Sequence, residues 1–137
     1  MTIDIKTIDK LIAVAKAASE KAYCPYSRFP VGAAAMTTTG LIFAGCNIEN
    51  AAYGSTICAE RTSVFSMVAA GHLDLAAIVI YTPTDVPAAP CGACRQVVNE
   101  FGPSSRIISV CDGQKRIDTT LAELLPVAFG PKNLIAE

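Results

Sequence analysis

Two short cysteine motifs constrain the fold of this chain more than any other feature of its sequence. The first is Cys58-Ala59-Glu60, and the second is Pro90-Cys91-Gly92-Ala93-Cys94. They lie 33 residues apart, counted from Cys58 to Cys91, which leaves room for a helix, a strand and a loop between them. A helical pattern begins at each motif directly after a loop. Helix starts of this kind gather at one edge of an α/β sheet, where ligand sites are common.

The remaining sequence alternates between helical and strand patterns. The predicted helices cover residues 7–22, 59–70, 92–101 and 120–125, and the predicted strands cover residues 31–37, 41–46, 75–81, 107–111 and 116–118. Strand 75–81 is a continuous apolar run, as is typical of a strand buried on both faces. The first two strands, separated by the Thr39-Gly40 turn, should form an antiparallel hairpin. This order of elements predicts an α/β fold, with a mixed sheet and helices on both of its faces.

Length and composition limit the classes of protein to which the chain can belong. Its 137 residues are enough for one domain, and we expect that domain to cover residues 1–137. Apolar residues make up 52% and charged residues 17%, which favours a compact protein with some apolar surface covered by partner subunits. The formal net charge is −1 and no basic cluster occurs, so a nucleic-acid substrate is disfavoured and a small, nearly neutral one is favoured.

The expected location follows from the same sequence. Residues 1–10 are polar and mixed in charge, without the apolar core of a signal peptide. The longest wholly apolar runs are too short to span a bilayer. We therefore expect a cytoplasmic protein without a membrane partner. In that compartment, metal binding or catalysis is a better explanation of its six cysteines than disulfide formation.

The cysteine motifs are typical of a catalytic zinc site. Cys91 and Cys94 are three residues apart and share one face of a helix, and Cys58 directly precedes another helix. At helix starts, free backbone N–H groups and the helix dipole favour thiolate over thiol. Three protein ligands leave one position of a tetrahedral zinc ion for water, whose pKa then falls toward about 7. We predict one Zn²⁺ per chain, bound by Cys58, Cys91 and Cys94.

Glu60 is the predicted catalytic residue. It lies two positions beyond Cys58, and side chains at that spacing in a helix point in different directions. Glu60 should therefore not bind the same metal ion, but it can extend over the substrate pocket and transfer protons between water, a ring nitrogen and a leaving amine. Three thiolates make the zinc site formally negative, so we expect Arg61, Arg95 or both to donate hydrogen bonds to the sulfurs.

Other uses of the cysteines explain less of the sequence. A structural zinc site would need a fourth ligand, for which Cys24, Cys46 and Cys111 are available but lack ligand spacing. A redox pair in the second motif would leave the first motif without a role. We expect Cys24, Cys46 and Cys111 to be small buried residues. The single histidine, His72, follows the helix of the first motif and is poorly placed to bind the metal.

In this order and with their surroundings, the two motifs resemble the small homotetrameric cytidine deaminases. The resemblance runs from about residue 22 to residue 134. In addition to the first motif, it is carried by the segments Tyr26–Ala34, Asn47–Gly54, Cys91–Gln96 and Glu123–Phe129. It implies a three-layer fold with a five-stranded mixed sheet between helices. It also implies zinc-dependent hydrolytic deamination of cytidine and 2′-deoxycytidine, as in pyrimidine salvage.

The resemblance also implies roles for residues outside the zinc site. Asn47 and Glu49 would hydrogen-bond the ribose, chiefly its 3′-hydroxyl, and Phe29 would pack on the pyrimidine ring. The backbone of Ala59, together with Glu60, would bind the polar edge of that ring. The implied substrate is therefore a free pyrimidine nucleoside.

A homotetramer is implied as well, because Tyr53 and Phe129 would reach the active sites of neighbouring subunits. Competing hypotheses are a deaminase of another cytosine compound such as blasticidin S or a modified cytidine, a nucleic-acid editing or binding protein, and a catalytically silent zinc-stabilised module. The near-neutral charge argues against the second of these. The intact Glu60 argues against the third.

Overall fold

One sheet organises the structure. The computed structural model describes residues 2–135. Its strands are β1 Gly32–Thr37, β2 Ile42–Cys46, β3 Leu75–Tyr81, β4 Arg106–Val110 and β5 Ile117–Thr120. Its α-helices are α1 Ile5–Ser19, α2 Ala59–Ala69, α3 Gly92–Phe101 and α4 Leu121–Leu124, and short 3₁₀ turns cover Tyr53–Ser55 and Pro131–Asn133. No helix among the described residues has the length and apolar character needed to cross a bilayer.

The sheet is mixed, with the strand order β2-β1-β3-β4-β5. β1 pairs antiparallel with both β2 and β3, β3 pairs parallel with β4, and β4 pairs antiparallel with β5. The chain between the two parallel strands contains α3, because parallel neighbours need a crossover connection. The predicted hairpin and the predicted five-stranded mixed sheet are both confirmed.

Helices cover both faces of the sheet and create two cores. On one face, Leu11 of α1 belongs to the same buried cluster as Val79 of β3. On the other face, Val64 of α2 and Val98 of α3 share a buried cluster with Ile78 of β3. Neighbouring residues of β3 therefore enter opposite cores, which explains why this strand is a continuous apolar run. The predicted three-layer α/β arrangement is confirmed.

Two glycines allow helices to approach the sheet closely. A Cβ atom on Gly32 of β1 would lie 1.8 Å from the carbonyl oxygen of Ala15 in α1. A Cβ atom on Gly45 of β2 would lie 2.3 Å from a backbone nitrogen of α2. The Thr62 hydroxyl of α2 also donates a hydrogen bond to the carbonyl oxygen of Cys46 at 2.7 Å. These contacts hold α2, which begins at the first motif, against the edge strand β2.

The first helix differs from its predicted bounds at both ends, whereas β3 and α3 have the predicted bounds. α1 begins at Ile5 instead of residue 7, because the Asp4 side chain accepts a hydrogen bond from the Thr7 N–H and caps the helix. It ends at Ser19 instead of residue 22, because the chain then turns away so that Tyr23 can pair with the segment after β2.

The last two strands are also displaced by a few residues from the prediction. β4 begins at Arg106, one residue early, and the guanidinium of Arg106 forms a salt bridge with Asp118 of β5 at 2.6 Å. β5 continues to Thr120, whose hydroxyl accepts a hydrogen bond from the backbone of α4 and so acts as its N-cap. This cap starts α4 at Leu121 instead of residue 120, and the helix ends at Leu124, one residue before the predicted end.

Gly32→Ala should destabilise the fold, whereas Gly54→Ala should not. The methyl group added at Gly32 would meet the backbone of α1, and overpacking of this kind costs about 3 kcal/mol. A Cβ atom on Gly54 would have no neighbour within 4 Å. Urea unfolding followed by circular dichroism measures both variants. Equal unfolding midpoints would contradict the close approach of α1 to β1.

Candidate metal centre and adjoining cleft

Three cysteine sulfurs converge at the starts of α2 and α3. The Sγ atoms of Cys58, Cys91 and Cys94 all lie within 4.8 Å of one another, and those of Cys58 and Cys91 are 3.9 Å apart. Sulfurs bound to one tetrahedral zinc ion, at a Zn–S distance of about 2.3 Å, are separated by about 3.8 Å. The cluster therefore fits zinc. No other His, Cys, Asp or Glu in the described part of the chain joins this group, which leaves the fourth position open, as in catalytic sites.

Helix capping positions explain why these sulfurs meet. Cys58 is the N-cap of α2 and Cys91 is the N-cap of α3, and both have extended backbone angles. Cys94 is the third residue of α3, and side chains at the N-cap and third helical positions face each other across the first turn. Neither N-cap side chain accepts a hydrogen bond from a backbone N–H group of its own helix. The free N–H groups and the positive dipole ends of both helices therefore stabilise negative sulfur ligands.

Arg61 contacts this cluster. Its Nη2 atom donates to the Sγ of Cys58 at 3.6 Å and to the carbonyl oxygen of Thr56 at 3.5 Å. Hydrogen bonds from the Cys94 thiol and then from Arg61 outweigh the effect of burial and lower the pKa of Cys58 to about 5. A thiol with this pKa is deprotonated at neutral pH, which is the form that binds zinc.

Arg95 contacts backbone oxygens, and none of the hydrogen bonds described for it reaches a sulfur. Its Nε atom donates to the carbonyl oxygen of Pro90 at 2.8 Å, and its Nη1 atom donates to that of Leu124 at 2.9 Å. Of the two arginines expected to donate to the sulfurs, Arg61 alone is placed to do so in the described structure. Arg95 instead connects the loop before Cys91 to the end of α4.

A cleft of about 420 Å³ adjoins the sulfur cluster. This volume is typical of a small-molecule site. The cleft lies where β1 begins, where β2 and β3 end and where α2 and α3 start, as expected for a ligand site of an α/β sheet. The predicted site residues that line it are Phe29, Asn47, Glu49, Cys58, Ala59, Glu60 and Cys91.

Glu60 is the buried acid of this cleft. It is the second residue of α2, and only 5% of its surface is exposed. Burial raises the pKa of the Glu60 carboxyl above its ordinary value, and the negative charge of Cys58 raises it further. A carboxyl whose pKa is shifted toward neutral pH can both accept and release a proton there, as general acid–base catalysis requires.

Asn47 lines the cleft while its amide holds the nearby backbone. The residue is 8% exposed. Its Oδ1 atom accepts a hydrogen bond from the Val31 N–H at 2.9 Å, and its Nδ2 atom donates to the carbonyl oxygen of Phe29 at 2.8 Å. An amide has two N–H donors, so one donor of Asn47 is left for a bound molecule. The Phe29 ring is 40% exposed on the same wall.

Glu49 is the second carboxylate of the cleft, and its surroundings are unlike those of Glu60. Its Oε1 atom accepts hydrogen bonds from the backbone N–H groups of Tyr26 and Ser27 at 2.9 and 3.1 Å. Its Oε2 atom accepts a short hydrogen bond from the Ser27 hydroxyl. The bond from that hydroxyl, followed by those from the backbone, lowers the pKa of Glu49 below its ordinary value. Glu49 is therefore ionised at neutral pH.

Comparison with known proteins identifies the family. The family model for the cytidine and deoxycytidylate deaminase zinc-binding region matches residues 5–111. The chain belongs to this family. It is 48% identical over 128 residues to the cytidine deaminase of Sporosarcina psychrophila, an alignment that covers 93% of this chain and 94% of the relative.

Further relatives resemble this zinc-binding deaminase in sequence and in structure. The cytidine deaminase of Halalkalibacterium halodurans is 46% identical over 125 residues, covering 90% of this chain and 95% of the relative. The crystal structure of the cytidine deaminase from Burkholderia pseudomallei superimposes with a TM-score of 0.85 at 50% identity, covering 88% of this chain and 98% of that one. The predicted family, the fold and a zinc-binding function are confirmed.

Tyr53 and Phe129 lie on the surface of the deaminase chain, with 74% and 59% of their area exposed. The Tyr53 ring stands edge-on to that of Tyr26, with the ring centroids 5.7 Å apart. The carbonyl oxygen of Phe129 accepts hydrogen bonds from the side chains of Gln96 and Asn99 in α3, at 2.9 and 3.3 Å. Neither aromatic ring lines the cleft of its own chain. Their action in a neighbouring subunit stays a prediction.

Sequence analysis missed several residues of the cleft wall. Those with polar or small side chains are Ser27, Thr56, Thr82, Ala88 and Ala89. Thr82 follows the carboxyl end of β3, and the general position of ligand sites in α/β sheets would have found it. Ala88 and Ala89 closely precede the second motif. Ser27 lies in the Tyr26–Ala34 segment of the family resemblance, but its contact with Glu49 depends on how the loop folds.

The remaining cysteines agree only in part with the prediction that they are buried. Cys111 is 8% exposed, but Cys24 and Cys46 are only partly buried. Cys24 lies in the loop after α1, and Cys46 ends the edge strand β2, which has a neighbour on one side only. Within residues 2–135 none of the three joins the metal cluster, so a closed four-ligand zinc site has no support there.

Cys91→Ala should remove zinc, whereas Cys24→Ala should retain it. Cys91 is the exposed member of the cluster, so its truncation deletes a ligand without opening a cavity in the core. Because three ligands hold the metal, bound zinc should fall from about one ion per chain to less than about a tenth of that, and Tm should fall with it. Metal analysis of the dialysed variants measures the zinc content per chain. Full zinc in Cys91→Ala would rule out this ligand set.

Proposed function

We propose that the chain hydrolyses cytidine and 2′-deoxycytidine to uridine and 2′-deoxyuridine with release of ammonia. The observation that carries this proposal is the cleft in which the buried Glu60 carboxyl lies beside Cys58 and Cys91 of the metal cluster. Relatives that are cytidine deaminases and align with 90% or more of the chain support the same substrate class.

Glu60 carries the protons of this reaction. Zinc held by Cys58, Cys91 and Cys94 would lower the pKa of a water, so that a hydroxide nucleophile for C4 of the cytosine ring is available near neutral pH. Glu60 accepts a proton from that water and delivers it to N3 of the ring. It then transfers a second proton, from the new hydroxyl group on C4 to the exocyclic amine. The C4–N bond breaks as the C4 carbonyl forms, and the amine leaves as ammonia. The contact of Arg61 with Cys58 offsets the negative charge of the sulfur ligands.

The cleft is better suited to a nucleoside than to a nucleotide or a free base. We assign the unused N–H of Asn47 and the Glu49 carboxylate to ribose hydroxyls, and the Phe29 ring to the base; all three residues line the cleft. The backbone N–H of Ala59, in the first turn of α2, is left for the polar edge of the pyrimidine. None of the described residues that line the cleft is Lys or Arg, and two are carboxylates, so a phosphate would be repelled.

Glu60→Gln should abolish turnover and keep the zinc. Glutamine has the shape of glutamate and remains packed, but it cannot transfer protons, so kcat should fall by about 10⁴-fold. The ultraviolet absorbance of cytidine, deoxycytidine, cytosine and blasticidin S follows the reaction, and metal analysis follows the zinc. The exposed Glu100 of α3 provides the control, and Glu100→Gln should match the unsubstituted protein. Undiminished turnover in Glu60→Gln would exclude Glu60 as the proton carrier.

A homotetramer with shared active sites is part of the proposal. Other large apolar side chains are exposed as well, including Tyr26 at 48%, Val127 at 104% and Leu134 at 77%. An exposed apolar surface of this kind is typical of a protein interface. Tyr53 and Phe129 would then complete the sites of neighbouring subunits.

Co-expression of Phe129→Ala with Glu60→Gln should restore activity that each variant lacks alone. In mixed tetramers, a chain with intact Glu60 can receive Phe129 from its neighbour. The two chains carry different affinity tags, and cytidine turnover is measured on the doubly purified assembly. Activity no higher than that of the separate variants would place Phe129 outside the neighbour's site.

The biological setting follows from the same chemistry. We propose one catalytic domain over residues 1–137, a role in pyrimidine salvage and a cytoplasmic location. Six free cysteines support a reducing compartment, in which the metal-binding thiolates persist. The net charge of −1 supports a free nucleoside as partner over a nucleic acid or a membrane surface.

A further inference from the structure

The loop at residues 26–29 is built around the Glu49 carboxylate. Both backbone N–H groups at Tyr26 and Ser27 donate to Oε1 of Glu49, at 2.9 and 3.1 Å, and the Ser27 hydroxyl donates to Oε2. The same hydroxyl oxygen accepts a hydrogen bond from the Phe29 N–H at 3.1 Å. Ser27 therefore connects the carboxylate to the backbone of the aromatic residue on the cleft wall.

The ionised state of the Glu49 carboxylate determines the direction of each hydrogen bond of the Ser27 hydroxyl. An ionised carboxylate only accepts, so the single hydroxyl proton of Ser27 has to point to Glu49, and its oxygen is left to accept from Phe29. A carboxylate offers about four acceptor positions. The loop occupies two on Oε1 and one on Oε2. One position on Oε2 remains for a hydroxyl of a bound molecule.

The backbone of the loop has a conformation that needs support. Arg28, between Ser27 and Phe29, has a φ of 57°, in the left-handed region that non-glycine residues rarely adopt. Its N–H donates to the carbonyl oxygen of Cys24 at 2.9 Å. The bonds of Ser27 on either side offset the cost of this conformation. Loss of the Ser27 hydroxyl would thus free Oε2 of Glu49 and remove one support of the turn.

We propose that Ser27 is a positioning residue that aims Oε2 of Glu49 at the 3′-hydroxyl of the nucleoside and thereby sets the preference for substrates that carry this hydroxyl. The inference rests on the proposed nucleoside deamination. Ser27 itself acts through Glu49 and does not contact the reacting atoms.

The test compares cytidine with 3′-deoxycytidine, using kcat and KM from the ultraviolet assay on the zinc-loaded protein. In Ser27→Ala the ratio of kcat/KM for cytidine over 3′-deoxycytidine should fall by about fivefold to tenfold, the value of weakening one hydrogen bond of typical strength. Ser27→Thr keeps the hydroxyl and should restore the ratio. The exposed Ser104, which is not part of the cleft wall, provides the matched control, and Ser104→Ala should leave the ratio unchanged.

A second comparison tests whether Ser27 acts through Glu49. In a Glu49→Gln background, Ser27→Ala should no longer change the ratio, because the carboxylate that it positions is absent. If Ser27→Ala lowers kcat/KM equally for both nucleosides, the serine merely supports the loop and the inference is overturned. If the unsubstituted protein turns over neither nucleoside, the proposed function itself fails, and the inference fails with it.

Discussion

The convergence of three cysteine sulfurs at two helix starts is the interaction on which the rest of the site depends. Negative sulfurs this close repel one another, and they stay together because opposite charge surrounds them. The dipoles of α2 and α3 supply part of that charge, Arg61 supplies another part, and bound zinc supplies most of it. The sheet makes the convergence possible, because it places both helix starts at the same edge.

Two carboxylates line one cleft, and their surroundings separate their chemistry. Glu60 is buried at the start of α2, which raises its pKa, whereas Glu49 is enclosed by hydrogen-bond donors of the 26–29 loop, which lower its pKa. The first is therefore suited to exchange protons, and the second is suited to remain charged and accept hydrogen bonds. Opposite shifts of neighbouring acids are a common way for one site to hold a proton carrier and a fixed anion.

Sequence patterns predicted the elements and the clustering of the three cysteines well, and predicted loop contacts poorly. The ends of α3 follow from Cys91 and the Gly102-Pro103 stop, so its bounds were right. The start of α1 was missed because Asp4 was not recognised as its cap. Ser27 and the carbonyl partners of Arg95 depend on irregular backbone, which no periodicity encodes. Local patterns therefore specify helices and ligand spacing, while contacts between loops need the folded chain.

The close packing of α2 on β2 has a consequence for the size of substrate. Gly45 admits the helix backbone, and Thr62 binds the carbonyl oxygen of Cys46, so the start of α2 and the end of β2 form one rigid block. The block carries Glu60 at one position and Asn47 at another. In the proposed reaction, with Asn47 at the sugar and Glu60 at the amine-bearing carbon, the span between these two parts of the substrate has to match a fixed interval. A compound with a longer or shorter span cannot engage both ends at once.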